Sequence, residues 1–248
     1  IDVGGTNTNF GLIKEDGEDI LFESIPTNSH EPAEKLFVNL FTKFKEVTKP
    51  LNGSYELVGI GIGAPNANYY KGTVENPPNL KWGFVDVVAL VKRFIDVPVV
   101  LTNDANAAAL GEMYFGVAKG MKDFIVITLG TGLGSGIVVN GNLVLGHDGF
   151  AGEIGHTVYD PNGRLCGCGR RGCLETYASA TGIRRTVMEL ISTTTYESKL
   201  RSISFNDLDA KMITDAALNG DKIALEAFDF TAKVLGLKLA DAVAHTSP

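Results

Sequence analysis

His156, Cys166, Cys168 and Cys173 stand in the order H-x9-C-x-C-x4-C, and they include every cysteine of the chain. Three chemistries suit such a cluster: a disulfide, a catalytic thiol and a metal centre. Three cysteines cannot all pair within one chain, and a catalytic thiol needs only one of them. Tetrahedral zinc accepts three thiolates and an imidazole, and the glycines at 167, 169 and 172 let the chain wrap closely around an ion. The surrounding segment, GFAGEIGHTVYDPNGRLCGCGRRGCLET at 149–176, is rich in Gly and Arg and has little apolar matter to order it. A metal would supply that missing folding energy. Unligated buried cysteines are the plain alternative. A DNA-binding finger is not indicated, because nothing repeats, the ligands do not form two pairs and the chain is acidic. Arg164, Arg170 and Arg171 therefore read as solvated loop residues.

Two glycine-rich turns are the second chemical feature. Gly4-Gly5-Thr6-Asn7-Thr8 follows Asp2 and Val3, and Thr131-Gly132 lies in TLGTGLGSG. Without a Cβ in the way, backbone N–H groups can approach an anion, so two such loops can grip the phosphates of a nucleotide between them. Asp2, at a strand end, is placed to hold Mg²⁺ directly or through water. Commoner phosphate motifs fail on context. GTGLGSG precedes a strand and a hairpin, whereas a dinucleotide fingerprint opens a helix. Neither loop ends in the Gly-Lys-Ser/Thr of a P-loop. Ordinary tight β-turns are the alternative for either loop taken alone.

The elements that must position these residues follow from periodicity. Strands are expected up to Val3, over 9–13 and over 20–24, with a turn at Gly17. Leu36, Phe37, Leu40, Phe41, Phe44 and Val47 recur at helical spacing within 32–47. A strand over 57–62 ends in Gly63-Ala64-Pro65, a helix is expected over 85–94, a strand over 99–102 and an alanine-rich helix over 105–114. Asn103-Asp104 thus falls where a strand meets a helix, a position at which Asp is also a favoured N-cap. Further strands are expected over 123–129, 137–139 and 143–145, the last two joined by the hairpin turn Asn140-Gly141. Helices then run to a polar break at 192–204, and a last one spans 222–244.

IDVGGTNTNFGLI and ITLGTGLGSGIVV share one grammar of apolar strand, Gly/Thr turn and apolar strand, roughly 125 residues apart. That repetition predicts a duplicated two-lobed α/β protein. Residues 1–103 form the lobe with the first phosphate loop, and 104–248 the lobe with the second phosphate loop and the cysteine segment.

Bulk composition sets limits. Of 248 residues, 44% are hydrophobic and 21% charged, which is enough apolar content for packed cores and argues against disorder. Twenty-two basic against 29 acidic residues give a net charge of -7, which argues against a general nucleic-acid or anionic-membrane surface. No apolar run approaches the roughly 18 residues of a membrane span. Unpaired cysteines favour a reducing, cytoplasmic setting. The chain opens at Ile1 inside a strand and stops at Thr246-Ser247-Pro248, so it is read as trimmed at both ends.

Asp2-Val-Gly-Gly-Thr resembles the first phosphate motif of the actin, Hsp70 and sugar-kinase superfold, and TLGTGLGSG resembles its second. Within that superfold, NDANAAALGE and the cysteine segment resemble the ROK family of bacterial sugar kinases and repressors, nearest to its glucokinases. The resemblance extends over essentially the whole chain. It implies a two-lobed actin-like (ribonuclease H-like) fold with a small zinc-binding loop. It also implies transfer of the γ-phosphoryl of MgATP to the 6-hydroxyl of a hexose, glucose being the leading candidate. Such a transfer needs a carboxylate that takes the hydroxyl proton, and the resemblance assigns that role to Asp104. Asn79 in ENPPNLKW, Asn103, Glu153, His156 and Glu175 correspond to sugar-contacting residues of the family. Asp2, Gly4, Gly5, Thr6, Asn7, Thr8, Thr131 and Gly132 would hold Mg²⁺ and phosphate, and His156, Cys166, Cys168 and Cys173 a structural Zn²⁺. Glu75 and Asn76 are weaker sugar-site candidates. The implied partners are hexose and nucleotide, with no nucleic acid and no membrane, and the implied assembly is a homodimer. The rival expectation is the sugar-sensing effector domain of a ROK transcriptional repressor.

Overall fold

In the computed structural model, which describes residues 1–51 and 53–248, strands β1 (Asp2–Val3), β2 (Asn7–Ile13) and β3 (Asp19–Pro26) form an antiparallel meander. Gly17, with φ of +92°, makes the turn between β2 and β3. Helix α1 (Ala33–Thr48) buries Ala33, Leu36, Phe37, Leu40 and Phe41, the i, i+3, i+4 stripe expected of an amphipathic helix. Strand β4 (Ile60–Gly63) pairs parallel to β1 and begins later than the expected 57–62. Three short strands, β5 (Ala67–Asn68), β6 (Thr73–Glu75) and β7 (Phe84–Asp86), build a small antiparallel sheet.

The helix expected over 85–94 is corrected here. Phe84–Asp86 pairs with β6, and helix α2 (Val87–Lys92) starts only after Asp86, whose carboxylate accepts from the Ala89 amide at 2.8 Å. A strong N-cap three residues into the apolar run decides where the helix begins. Strand β8 (Val99–Thr102) completes a five-stranded sheet in the order β3-β2-β1-β4-β8, and helix α3 (Asp104–Tyr114) follows directly. Strand β9 (Phe124–Leu129) leads to β10 (Leu133–Val139), and β10 pairs with β11 (Asn142–Leu143) through Asn140 and Gly141, both at positive φ. That is the geometry of the expected Asn-Gly hairpin turn. Helices α4 (Ala180–Thr193), α5 (Ala210–Leu218) and α6 (Lys222–Thr246) close the chain.

Contacts divide the molecule into two compact units. One comprises Ile1–Lys122 with Gly136–Gly152, the other Asp123–Ser135 with Glu153–Pro248. The first packs α1 and α2 on the five-stranded sheet around Val3, Phe37, Leu40, Ile62, Val91 and Leu101. Each such buried side chain contributes about 1.5–3 kcal/mol. The second has its own core of Ile183, Val187, Leu208, Ile213 and Ile223, drawn from α4, α5, α6 and the segment between α4 and α5. Among the described residues, no helix is long and apolar enough to cross a membrane.

Candidate functional site

The first unit carries three groups of candidate residues. Asp2 is exposed on β1, with its Oδ2 at 3.4 Å from the Asn9 side-chain amide. After it the chain turns sharply: the Gly4 amide donates to the Asn7 carbonyl at 3.0 Å, so Gly4 shapes the loop with its own N–H. Thr6 and Asn7 are exposed. Thr8 differs from its neighbours. Its side chain is 0% exposed, and its hydroxyl shares a 2.8 Å hydrogen bond with Thr27, which in turn donates to the Gly4 carbonyl. Thr8 thus braces the loop from beneath. Asn79 lies against the same loop, since a Cβ built on Gly5 would stand 3.0 Å from that of Asn79. Residues far apart in sequence are therefore brought together here.

Asn103 and Asp104 divide the work at the start of α3. Asn103 is the N-cap, its Oδ1 accepting from the Asn106 amide at 2.6 Å. Asp104 is the first helical residue, exposed, with Oδ1 accepting from the Ala105 amide at 2.9 Å. The cap alternative for Asp104 is thereby corrected: the preceding Asn103 holds the extended N-cap position and accepts from the Asn106 amide, and Asp104 is the first helical residue. Glu75 is occupied otherwise. Thr73 donates to it at 2.9 Å, followed by Lys71 and Asn68, and these bonds, the Thr73 hydroxyl first, hold its carboxyl below the usual range. Asn76 occupies a left-handed turn position with φ of +48°.

The second unit carries the cysteine segment. Thr131 is exposed, and the loop is closed by the Gly130 amide donating to the Gly132 carbonyl at 3.0 Å. A Cβ on Gly132 would meet Glu175 Oε2 at 2.7 Å, so the second glycine loop and Glu175 are immediate neighbours. The Ile154 amide donates to Ser135 Oγ at 3.0 Å, which fixes the short helical turn Ile154–His156 on β10. Glu153 precedes that turn and is exposed.

His156, Cys166, Cys168 and Cys173 converge, with their ligand atoms all within 4.8 Å of one another. Cys166 Sγ lies 3.6 Å from His156 Nδ1, and the sulfurs of Cys168 and Cys173 are also 3.6 Å apart. Tetrahedral zinc with its usual bond lengths sets neighbouring ligand atoms about 3.5–3.8 Å apart, so the donor set and its spacing fit that ion. The loop is shaped by its backbone: the Cys166 amide donates to the Arg170 carbonyl at 2.9 Å and the Tyr159 amide to that of Gly172 at 2.8 Å. Gly172 has φ of +73°, and a Cβ there would overlap the Asp160 carbonyl. Burial, and then the carboxylate of Glu175, raise the Cys166 thiol. At Cys168 burial pushes the same way, but Arg170 outweighs it and draws this thiol down to about 6.

Glu175 joins this cluster to the glycine loop, with its Oε1 3.0 Å from Cys166 Sγ and 3.7 Å from His156 Nδ1. Arg164 overturns one expectation. It is no solvated residue: its side chain is 9% exposed and forks onto Glu189 at 2.9 and 2.5 Å. It also donates to the Thr176 and Gly182 carbonyls at 2.7 and 3.1 Å, and its guanidinium lies 4.5 Å from the Tyr177 ring centroid. A planar five-donor group suits this many partners. Asn68, missed from sequence, is fully buried and donates both to Glu75 and to the Asp148 carbonyl at 3.0 Å. It ties the 146–149 loop to the small sheet, and nothing in its sequence surroundings signals that.

A family model for the ROK family matches residues 1–248. The chain belongs to the ROK family. Among relatives in the family, the glucokinase of Halalkalibacterium halodurans is 37% identical over 257 residues, covering all of this chain and 76% of that protein. A ROK family glucokinase from Streptomyces griseus, solved in complex with glucose and AMPPNP, superposes with a TM-score of 0.82. It is 33% identical, over all of this chain and 79% of that one. A ROK family transcriptional regulator, a homologue of the E. coli MLC protein, superposes with a TM-score of 0.87. It is 27% identical, over all of this chain and 62% of that one. The α/β fold is that of the ROK sugar kinases, the actin-like fold.

Proposed function

We propose that this ROK protein is a glucokinase-like sugar kinase that transfers the γ-phosphoryl group of MgATP to the 6-hydroxyl of glucose or a closely related hexose. Whole-chain similarity to glucokinases, one of them solved with glucose and AMPPNP, supports a sugar kinase. The observation that carries the finer reading is the state of Asp104. Its neighbour Asn103 caps the helix, one of its oxygens is anchored on the Ala105 amide, and the carboxylate is exposed. Anchored by one oxygen, it can accept a proton with the other. As the sugar O6–phosphorus bond forms, the bond from the γ-phosphorus to its bridging oxygen breaks, ADP departs with that electron pair, and the O6 proton passes to Asp104.

Asn79, Asn103, Glu153, His156 and Glu175 orient the sugar, because a ring with hydroxyls all round must have each of them paired when buried. Asp2, the loop from Gly4 to Thr8 and the Thr131-Gly132 loop hold Mg²⁺ and the phosphates, Thr8 from beneath the loop. Mg²⁺ supplies neutralisation of the charge that develops during transfer. His156, Cys166, Cys168 and Cys173 hold Zn²⁺, whose part is to order the loop beside Glu153 and Glu175. A cytoplasmic homodimer completes this reading.

A second reading, a sugar-sensing effector domain, is favoured by the likeness to the transcriptional regulator. It predicts sugar binding without turnover. Formation of hexose 6-phosphate across a hexose panel, with ATP and with inorganic polyphosphate as donors, separates the two. Asp104→Asn is expected to lower kcat by about 10²- to 10⁴-fold while calorimetry still detects sugar binding. Turnover near the wild-type rate in that variant sinks the assignment of the base.

A further inference from the structure

We propose that Gly136, the last glycine of GTGLGSG, is a positioning residue for Asp104. This rests on the assignment of Asp104 as the base and adds the device that sets it in place. Gly136 belongs to the first unit, as α3 does, and stands where β10 crosses the start of that helix. A Cβ built there would lie 2.5 Å from the Cβ of Ala109 and 2.8 Å from the carbonyl oxygen of Ala105. Neither contact can yield by a side-chain rotation, since one atom is backbone and the other is fixed to it. The missing side chain therefore sets how closely α3 approaches the strand.

The consequence runs through Ala105. Its carbonyl faces Gly136, and its amide is the donor that anchors Asp104 Oδ1 at 2.9 Å. Ala105 is 2% and Ala109 0% exposed, so the helix has no slack on this side. A methyl group at 136 must push the first turn outward by several tenths of an ångström and carry the Asp104 carboxylate with it. Displacement on that scale is costly to a reaction that depends on alignment of the attacking oxygen. The glycine run thus has a second use besides phosphate binding.

The test compares Gly136→Ala with Gly111→Ala in the full-length protein. Gly111 lies in the same helix, and a Cβ there meets nothing within 4 Å. Gly136→Ala is expected to lower kcat per folded molecule at least tenfold and to speed hydrogen exchange of the amides at 105–107. Gly111→Ala is expected to leave both unchanged. Adding Ala109→Gly to Gly136→Ala removes the 2.5 Å contact and is expected to restore part of the rate. A Gly136→Ala protein with wild-type exchange at 105–107 overturns the proposal, whether its rate is kept or lost. A wild-type protein that binds sugar but forms no sugar phosphate with either donor overturns the kinase reading instead, and the exchange measurement still decides the role of Gly136.

Discussion

Cys168 is the one exposed member of the cysteine cluster, whereas Cys166 and Cys173 are buried. With Arg170 drawing its thiol down to about 6, Cys168 is largely thiolate at neutral pH, and the thiolate is the reactive form. In metal-stripped protein at pH 7, iodoacetamide is therefore expected to alkylate Cys168 well before the other two. Peptide mass spectrometry checks the order, and equal modification of all three contradicts it. At the same scale, the Asp104→Asn experiment reads the proposed proton acceptor alone, because Asn103 rather than Asp104 carries the helix cap. The substitution should leave folding almost intact, which makes the kinetic result clean.

Arg164 joins elements. It holds the Thr176 and Gly182 carbonyls, Thr186 and Glu189, and so locks the cysteine loop onto the short helical turn after Cys173 and onto α4. Arg164→Ala takes the donor from the Thr176 carbonyl and the packing from beneath the loop, and is expected to cost about 2–3 kcal/mol, read from denaturant midpoints. Lysine should rescue little, because a point charge cannot replace a planar fork. Glu189 is 59% exposed at its side chain, so Glu189→Ala is expected to cost no more than about 1 kcal/mol. Equal losses in the two variants would show that the ion pair, not the carbonyl contacts, holds the loop. The element scale is also where local sequence carries least information. Arg164 lies among glycines and two other arginines, and no local pattern separates the buried one from the solvated ones. The cap at Asp86 similarly set the start of α2 inside an apolar run that read as continuous helix.

For the whole molecule, the His/Cys cluster and the helical core of the second unit are built from different residues. Ile183, Val187, Leu208, Ile213 and Ile223 make the core, and all four candidate ligands fall within 156–173. On the proposed zinc and sugar-site assignment, chelation is therefore expected to abolish hexose binding in calorimetry while most far-UV helical signal survives. Collapse of that signal together with the metal would instead make the ion a condition for the unit to fold.

Much of this protein is determined by sequence alone, and for a common reason. The zinc-type ligand pattern, the two glycine loops, the amphipathic stripe of α1 and the Asn140-Gly141 turn each express themselves over a few neighbouring residues. Backbone preference and periodicity act at that range, so residue type and spacing suffice. Tertiary structure alone decided that Asn68 is a buried hub, that Arg164 is clamped, that Gly5 packs on Asn79 and Gly132 on Glu175, and that Gly136 seats α3. Most of these are contacts between segments tens of residues apart, and each depends on which atoms meet across the fold. Such contacts leave no periodic trace along the chain.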